Sequence, residues 1–208
     1  MKYPKLRELR EAIKALITGP YTSSFPYRPH NPFERFRGKP EFNDKYCMGC
    51  GACTQVCPAG ALTFEDRIDK KKASRILTYR MDLCIFCGQC QLNCPTEKGI
   101  VLSREFDFAT TGKREDLKQI IEKELVLCDC CGETVAPYGQ ILWVARKIGP
   151  LTFSNASLML FYLAHLRLSD TAVKRKDTEA FVTKKEFKRS DRIKILCPRC
   201  RREVVIKS

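Results

Sequence analysis

Eight of the thirteen cysteines fall into two runs of one pattern, in which three cysteines are separated by two residues each and a fourth, after three more, precedes a proline. The runs are Cys47, Cys50, Cys53 and Cys57 before Pro58, then Cys84, Cys87, Cys90 and Cys94 before Pro95. Two-residue gaps allow a tight loop to aim three thiolates at one point, and the proline turns the chain in a new direction. Such a run ligates 4Fe–4S clusters, so two copies predict two clusters.

The fourth cysteine of each run is expected to serve the cluster of the other run. The assignment is then Cys47, Cys50, Cys53 and Cys94 for cluster 1, and Cys84, Cys87, Cys90 and Cys57 for cluster 2. Disulfides in an oxidising compartment, or zinc held by pairs of cysteines, are the alternatives. Neither alternative requires the repeated spacing with proline in place both times, so we favour the clusters.

Two further cysteine pairs lie towards the end of the chain, and each follows an apolar, strand-like run. They are Cys128 and Cys131, then Cys197 and Cys200. Two such pairs placed face to face make a tetrahedral four-thiolate site, which predicts a structural zinc ion with mononuclear iron or unliganded thiols as alternatives. Cys130 is either a spare thiol or a replacement for Cys128 or Cys131. The long separation of the pairs predicts that the metal closes an inserted helical segment.

The remaining side chains give no pattern for catalysis by this chain. There are no paired carboxylates, no nucleophile beside a base and no glycine-rich phosphate loop. The formal net charge is +14, from 38 basic and 24 acidic residues. Such an excess favours anionic partners, which are an acidic protein, lipid headgroups or nucleic acid.

The cysteine content and the apolar segments bear on the compartment. The first residues lack the apolar stretch and cleavage site of a secretory signal, and metal ligation explains many cysteines in a reducing cytoplasm. The longest apolar run, residues 156–164, is less than half of the ~20 residues that a membrane-spanning helix needs. We therefore expect a chain that does not span the membrane.

The elements before and around the first two runs follow from hydrophobic spacing. Residues 4–17 predict an amphipathic helix that lies on a membrane surface or a partner helix, or packs on the cluster domain. Five prolines and five aromatic residues between positions 20 and 40 predict an extended docking arm rather than a disordered linker. Short strands at residues 61–65, 75–80 and 99–103 predict a pseudo-twofold ferredoxin arrangement.

The later segment predicts helices at residues 114–124, 137–148 and 154–168, the third capped by Ser154. A strongly charged stretch at residues 169–192 follows, and strand-like runs at 192–196 and 203–207 close the chain. The predicted fold class is α+β. It comprises a helix and docking arm over residues 1–40, a bacterial-type dicluster ferredoxin fold over 41–110, and a helical, zinc-ribbon-like domain over 111–208.

With these residues in view, the chain resembles the two-cluster ferredoxin-like subunit of respiratory complex I and of related membrane-bound nickel–iron hydrogenases and formate hydrogenlyase-type complexes. The resemblance covers roughly residues 30–132. The segments that carry it are FRGKPEFNDKYCMGCGACTQVCPAGAL, MDLCIFCGQCQLNCP and SREFDFATTGKREDL, with the later LCDCC and LCPRC. One departure is the ending PTEKGI after Cys94, which is slightly longer than the ending common in that family and belongs to the loop beside cluster 1.

The resemblance implies an electron wire. Two 4Fe–4S clusters would pass single electrons to or from a cluster in an adjacent small subunit, beside a large catalytic subunit. The N-terminal helix would contact the membrane arm, which implies a hetero-oligomer with this chain at the cytoplasmic face as a peripheral, non-catalytic subunit of an oxidoreductase complex. A freely diffusing ferredoxin-like carrier is the main alternative. A zinc-ribbon protein that binds nucleic acid through residues 174–192, with structural clusters, is a minor one.

Overall fold

The computed structural model describes residues 5–19, 22–69, 72–168 and 192–207. The chain falls into two compact units, Met1–Phe36 and Arg37–Ser208. The charged stretch predicted at residues 169–192 lies almost wholly outside the described residues, as does the basic segment considered for nucleic-acid binding.

Helix α1, Leu6–Thr18, forms the described start of the first unit and confirms the predicted amphipathic helix. The backbone N–H of Lys5 donates to Glu8 Oε2 at 3.1 Å, which satisfies one free donor at the helix start. Gly19, with φ of 77°, ends the helix. No residue of α1 is buried, and its apolar face is exposed along the whole helix at Leu6, Leu9, Ile13, Leu16 and Ile17.

The proline-rich segment after α1 forms turns and bends, and its described residues up to position 39 contain no helix or strand. Proline removes a backbone donor and fixes φ, which explains this irregularity. The Tyr27 and Phe33 side chains are 93% and 87% exposed. Exposed aromatic rings of this size are available to pack against another surface.

Four strands form the framework of the second unit around the first two cysteine runs. Strand β1, Pro40–Phe42, pairs with β4, Ile100–Leu102, and β2, Leu62–Ile68, pairs with β3, Ala73–Arg80. Both pairs are antiparallel, and one-turn helices α2, Ala52–Gln55, and α3, Gln89–Leu92, follow the second cysteine of each run. The three strands predicted here are confirmed. Side chains of these strands pack with Ala61, Ile121 and two buried cysteines in one core: Cys53, Ala61, Leu62, Leu77, Tyr79, Cys90, Ile100 and Ile121.

The helix predicted at residues 114–124 is wrong. A short 3₁₀ turn, Arg114–Leu117, leads into strand β5, Lys118–Leu127, which pairs antiparallel with β3 and then with β6, Thr134–Pro137. The spacing of Leu117, Ile120 and Ile121 fits a helix, but burial follows a period of two. Ile121, Leu125 and Leu127 are buried whereas Ile120 is 62% exposed. In the described residues the sheet order is β2–β3–β5–β6, so the later segment extends the sheet that β2 and β3 form.

Two of the predicted later helices form, with one change of cap. Helix α4, Tyr138–Ile148, begins after Pro137 and ends at Gly149, as predicted. A 3₁₀ turn, Gly149–Ser154, separates it from α5, Ala156–His165. Asn155, not Ser154, caps α5, because its Oδ1 accepts from the N–H groups of Ser157 and Leu158 at 3.1 and 3.2 Å.

The two closing strands are also wrong. Residues 192–197 contain no strand, and residues 203–207 belong to helix α6, Pro198–Lys207. Cys200 and Val204 are spaced by four residues and both are buried, so one helical face carries the burial that the sequence suggested for a strand. Among the described residues, no helix combines the length and apolar character that crossing a bilayer needs.

Candidate metal centres

The first cavity lies between the first cysteine run and the start of β4. Its cysteines are Cys47, Cys50, Cys53 and Cys94. The other lining groups are mainly apolar, and include Phe42, Met48 and Leu77. The structure therefore brings together the four cysteines assigned to cluster 1, including the one contributed by the second run.

The second cavity is the counterpart of the first. Its cysteines are Cys57, Cys84, Cys87 and Cys90. These are the four residues assigned to cluster 2, again with one from the opposite run. Since each cavity offers four sulfur donors in an otherwise mainly apolar lining, the donor chemistry fits a 4Fe–4S cluster in each.

Burial raises the pKa of three of these thiols, those of Cys47, Cys53 and Cys90. It raises the pKa of Cys53 to about 12 and that of Cys90 to about 11. Cys94 differs, because its pKa is lowered: burial opposes ionisation, but the Thr96 hydroxyl and the backbone N–H groups of Thr96, Gly99 and Ile100 outweigh it. The Thr96 Oγ1 lies 3.3 Å from Cys94 Sγ. The unusual ending after Cys94 thus surrounds this ligand with hydrogen-bond donors.

Two cations from the sheet hold the loop of the first cysteine run, and sequence analysis missed both. Arg75 on β3 donates from Nη1 to the Gly49 carbonyl at 3.2 Å and makes a two-pronged ion pair with Asp66 at 2.6 and 2.8 Å. Lys123 on β5 donates to the Asp44 carbonyl at 2.6 Å and to its carboxylate at 2.9 Å.

Arg75 and Lys123 are opposite each other in the β3–β5 register. Like charges in such a pair repel. Each is matched here by its own acid, so the register places two ion pairs beneath one loop. Only correct placement of β5 as a strand would have revealed this arrangement.

The loop of the first cysteine run lies very close to β5 at Gly49. Its φ is +76°, and a Cβ atom there would lie 2.9 Å from Lys123 Cβ, too close for the strand to adapt cheaply. Left-handed strain alone costs a non-glycine residue about 1–2 kcal/mol. We expect Gly49→Ala to lower the free energy of unfolding by more than this amount and to reduce the iron bound at cluster 1. Gly60→Ala is the matched control, because its φ is +61° and nothing lies within 4 Å. Equal thermal stability and equal iron content in the two variants would contradict close packing of the loop on β5.

One buried polar atom lies in the second cavity. Tyr79 on β3 is 1% exposed and lines the cavity, and in the described part of the chain its hydroxyl has no hydrogen-bond partner. Burial raises the pKa of this hydroxyl, and the neighbouring Cys84, Cys90 and Cys57 raise it further. The Tyr79 hydroxyl therefore lies, protonated and without a hydrogen-bond partner among the residues described, in the same cavity as four cysteines.

The third cysteine group forms where the β5–β6 turn meets the start of α6. The Sγ atoms of Cys128, Cys131, Cys197 and Cys200 all lie within 4.8 Å of one another. The N–H of Cys197 donates to Cys128 Sγ at 3.3 Å, and that of Cys200 donates to Cys197 Sγ at 3.4 Å. This arrangement can hold one metal ion, and Cys130 is not part of the group.

Polar contacts join the two cysteine pairs. Asp129 and Ile195 exchange two bonds, since the Asp129 N–H donates to the Ile195 carbonyl at 2.8 Å and the Ile195 N–H to Asp129 Oδ2 at 2.8 Å. Ser157 on α5 donates to the Lys194 carbonyl at 2.7 Å and accepts from the Leu196 N–H at 3.0 Å. The approach to α6 is thereby fixed on both sides.

Comparison with known proteins bears on the first two centres. The family profile of the 4Fe–4S dicluster domain matches residues 46–98. NADH-quinone oxidoreductase subunit I 2 of Geobacter metallireducens is 31% identical over 131 residues, which are 60% of this chain and 98% of that protein. Formate hydrogenlyase subunit 6 of Escherichia coli is 40% identical over 118 residues, covering 56% of this chain and 62% of that protein.

Two further similarities cover less of the compared proteins. NAD(P)H-quinone oxidoreductase subunit I of Gloeobacter violaceus is 32% identical over 99 residues, 46% of this chain and 47% of that protein. A chain in the structure of the membrane-bound sulfane sulfur reductase, an archaeal respiratory membrane complex, is 28% identical, with 56% of this chain and 62% of that chain covered and a TM-score of 0.39. The chain thus spans about half to two thirds of several relatives and nearly all of one.

Proposed function

This chain belongs to the NADH-quinone oxidoreductase subunit I family, and from that premise we propose that it is an electron-transfer subunit of a membrane-bound, complex I-like oxidoreductase of hydrogenase type. It relays single electrons through two 4Fe–4S clusters, to or from a cluster in an adjacent small subunit beside a large catalytic subunit. Related proteins that carry the names NADH-quinone oxidoreductase and formate hydrogenlyase subunits support this proposal.

The observation that carries the proposal is the pair of cavities, each lined by three cysteines of one run and one of the other. Crossed ligation makes each cluster bridge the two halves of the fold, so the two electron sites are held at a fixed separation. A carrier of electrons between fixed partners requires such rigidity, since the distance between redox centres must not vary.

In this proposal the clusters supply one-electron chemistry, and the chain's own residues supply position and environment. The eight cysteines hold the irons. The apolar linings exclude water, while Thr96 and the neighbouring N–H groups donate to Cys94. Arg75 and Lys123 fix the loop of cluster 1. The proposal assigns no described residue a role as acid, base or nucleophile.

We further propose that the third group binds zinc rather than iron, through Cys128, Cys131, Cys197 and Cys200. Four thiolates leave no open position, as in structural zinc sites. Three of the four cysteines are buried, and the site joins the β5–β6 turn to α6. The metal would then hold the end of the chain on the extended sheet.

The proposal assigns a separate role to each of three segments. Residues 1–40 dock on the membrane arm and on neighbouring subunits, residues 41–110 carry the clusters, and residues 111–208 form the zinc-closed extension. Support for docking comes from the exposed apolar face of α1, flanked by Lys5, Arg7, Arg10 and Lys14, and from the exposed rings of Tyr27 and Phe33. The chain is then peripheral, at the cytoplasmic face of the membrane.

Purification of the tagged full-length chain from detergent-solubilised membranes of its native host tests the proposal. We expect a small iron–sulfur subunit and a large catalytic subunit to co-purify. Leu9→Glu combined with Ile13→Glu should reduce membrane association at least tenfold, because two charges would then lie on the apolar face of α1. Iron content should not change.

Glu11→Gln is the matched control, since it alters the polar face of α1 and should leave membrane association intact. A soluble monomer from native cells, with no co-purifying subunits, would contradict the proposal and favour the freely diffusing carrier.

A further inference from the structure

The buried hydroxyl of Tyr79 calls for a partner. Within the described residues it is the only buried side-chain oxygen or nitrogen atom without a hydrogen bond. Leaving such a group unpaired costs about 1–3 kcal/mol, and a phenylalanine would fill the same space without that cost. The retained hydroxyl therefore points to a group that occupies the cavity when the protein is loaded.

The main hydrogen-bond acceptors that the side chains around Tyr79 offer are cysteine sulfurs. Tyr79 shares its cavity with Cys57, Cys84, Cys87 and Cys90, and among these cysteines Cys84 raises the pKa of the Tyr79 hydroxyl most, after burial itself. Ligand thiolates keep acceptor capacity after binding iron, and hydrogen bonds to them tune the centre.

In the first cavity, a hydroxyl already lies within hydrogen-bond distance of a cysteine sulfur. There the Thr96 hydroxyl lies 3.3 Å from the ligand sulfur of Cys94. The two hydroxyls come from unrelated positions, one on the loop after the second run and one on β3. Each nevertheless faces a cysteine of its own cavity.

We propose that the Tyr79 hydroxyl donates a hydrogen bond to the Cys84 sulfur when cluster 2 is bound, and that this bond raises the reduction potential of cluster 2. The inference rests on the proposed function, since it requires a cluster in the second cavity. Reduction adds negative charge that spreads onto the sulfurs, so an O–H donor stabilises the reduced form more than the oxidised form.

Tyr79→Phe in the full-length, cluster-loaded protein tests this role. Potentiometric titration followed by electron paramagnetic resonance should show about a tenfold lower equilibrium constant for reducing cluster 2, which is about 59 mV for one electron. The potential of cluster 1 should not move. Tyr162→Phe, which removes a hydroxyl from α5, is the control and should change neither potential.

The possible results separate this inference from the proposed function. If the wild-type protein binds no cluster, the proposed function fails. If both clusters are present and Tyr79→Phe leaves the potential of cluster 2 unchanged, or moves both potentials equally, the hydrogen bond is disproved.

Should the variant not assemble, wild-type protein that carries 3-fluorotyrosine gives the answer. Its more acidic hydroxyl is a stronger donor, so the potential of cluster 2 should rise while that of cluster 1 stays the same. An unchanged potential of cluster 2 overturns the bond.

Discussion

Cys57→Ser is expected to abolish cluster 2 and to leave cluster 1 intact, although Cys57 belongs to the first cysteine run. The physical reason is the shape of the cavities, because Cys57 lines the second one with Cys84, Cys87 and Cys90. A serine at this position removes one of four thiolates. We expect roughly half of the iron to be lost, or a three-iron cluster to replace cluster 2.

Cys94→Ser is the matched variant and should give the mirror result. Cys94 lies in the second run but lines the first cavity, so cluster 1 should be lost and cluster 2 kept. Iron and sulfide analysis with electron paramagnetic resonance of each reduced variant distinguishes the two signals. Crossed ligation would be disproved if Cys57→Ser lost cluster 1 and Cys94→Ser lost cluster 2.

Cys200→Ala is expected to have the second large effect, which is release of the metal and unfolding of the end of the chain. Metal binding at four-thiolate sites of small domains contributes roughly 10–16 kcal/mol, and much of it is folding free energy. The buried residues around α6 are mainly cysteines together with Leu196 and Val204, so loss of the metal removes the main support of this helix. Hydrogen exchange should therefore increase sharply in α6 and in the β5–β6 turn.

Cys130→Ala is the control for this experiment. Cys130 lies beside the group but outside it, so its replacement should keep one metal ion per chain. Metal content by mass spectrometry identifies the ion in both proteins. Full metal content and unchanged exchange in Cys200→Ala would contradict the four-cysteine site. Iron–sulfur content should persist in both variants, since β5 is held by its pairing with β3.

The cysteine positions were the most predictable part of the site. Their spacing is local and repeated, so eight residues could be divided between two centres from the sequence, and the cavities now place the same sets together. The strands that flank the runs were predictable for a related reason. They lie directly after each run and are bounded by turns, so few alternatives existed.

The residues around the clusters were not predictable, because they depend on sheet register. Arg75 and Lys123 lie 48 positions apart and meet only because β5 pairs with β3. Apolar residues at positions 117, 120 and 121 fit a helix as well as a strand, and tertiary pairing decided between them. The sequence places Tyr79 in a strand but does not indicate that its hydroxyl lies beside the cysteines of the second cavity.

The most direct test of the account is iron, sulfide and spin analysis of the chain purified without oxygen. We predict about eight iron and eight sulfide per chain, together with two 4Fe–4S signals that each accept one electron on chemical reduction. The contradicting result is a protein without iron and without a paramagnetic signal on reduction, in which the cysteines of the first two groups bind zinc or form disulfides.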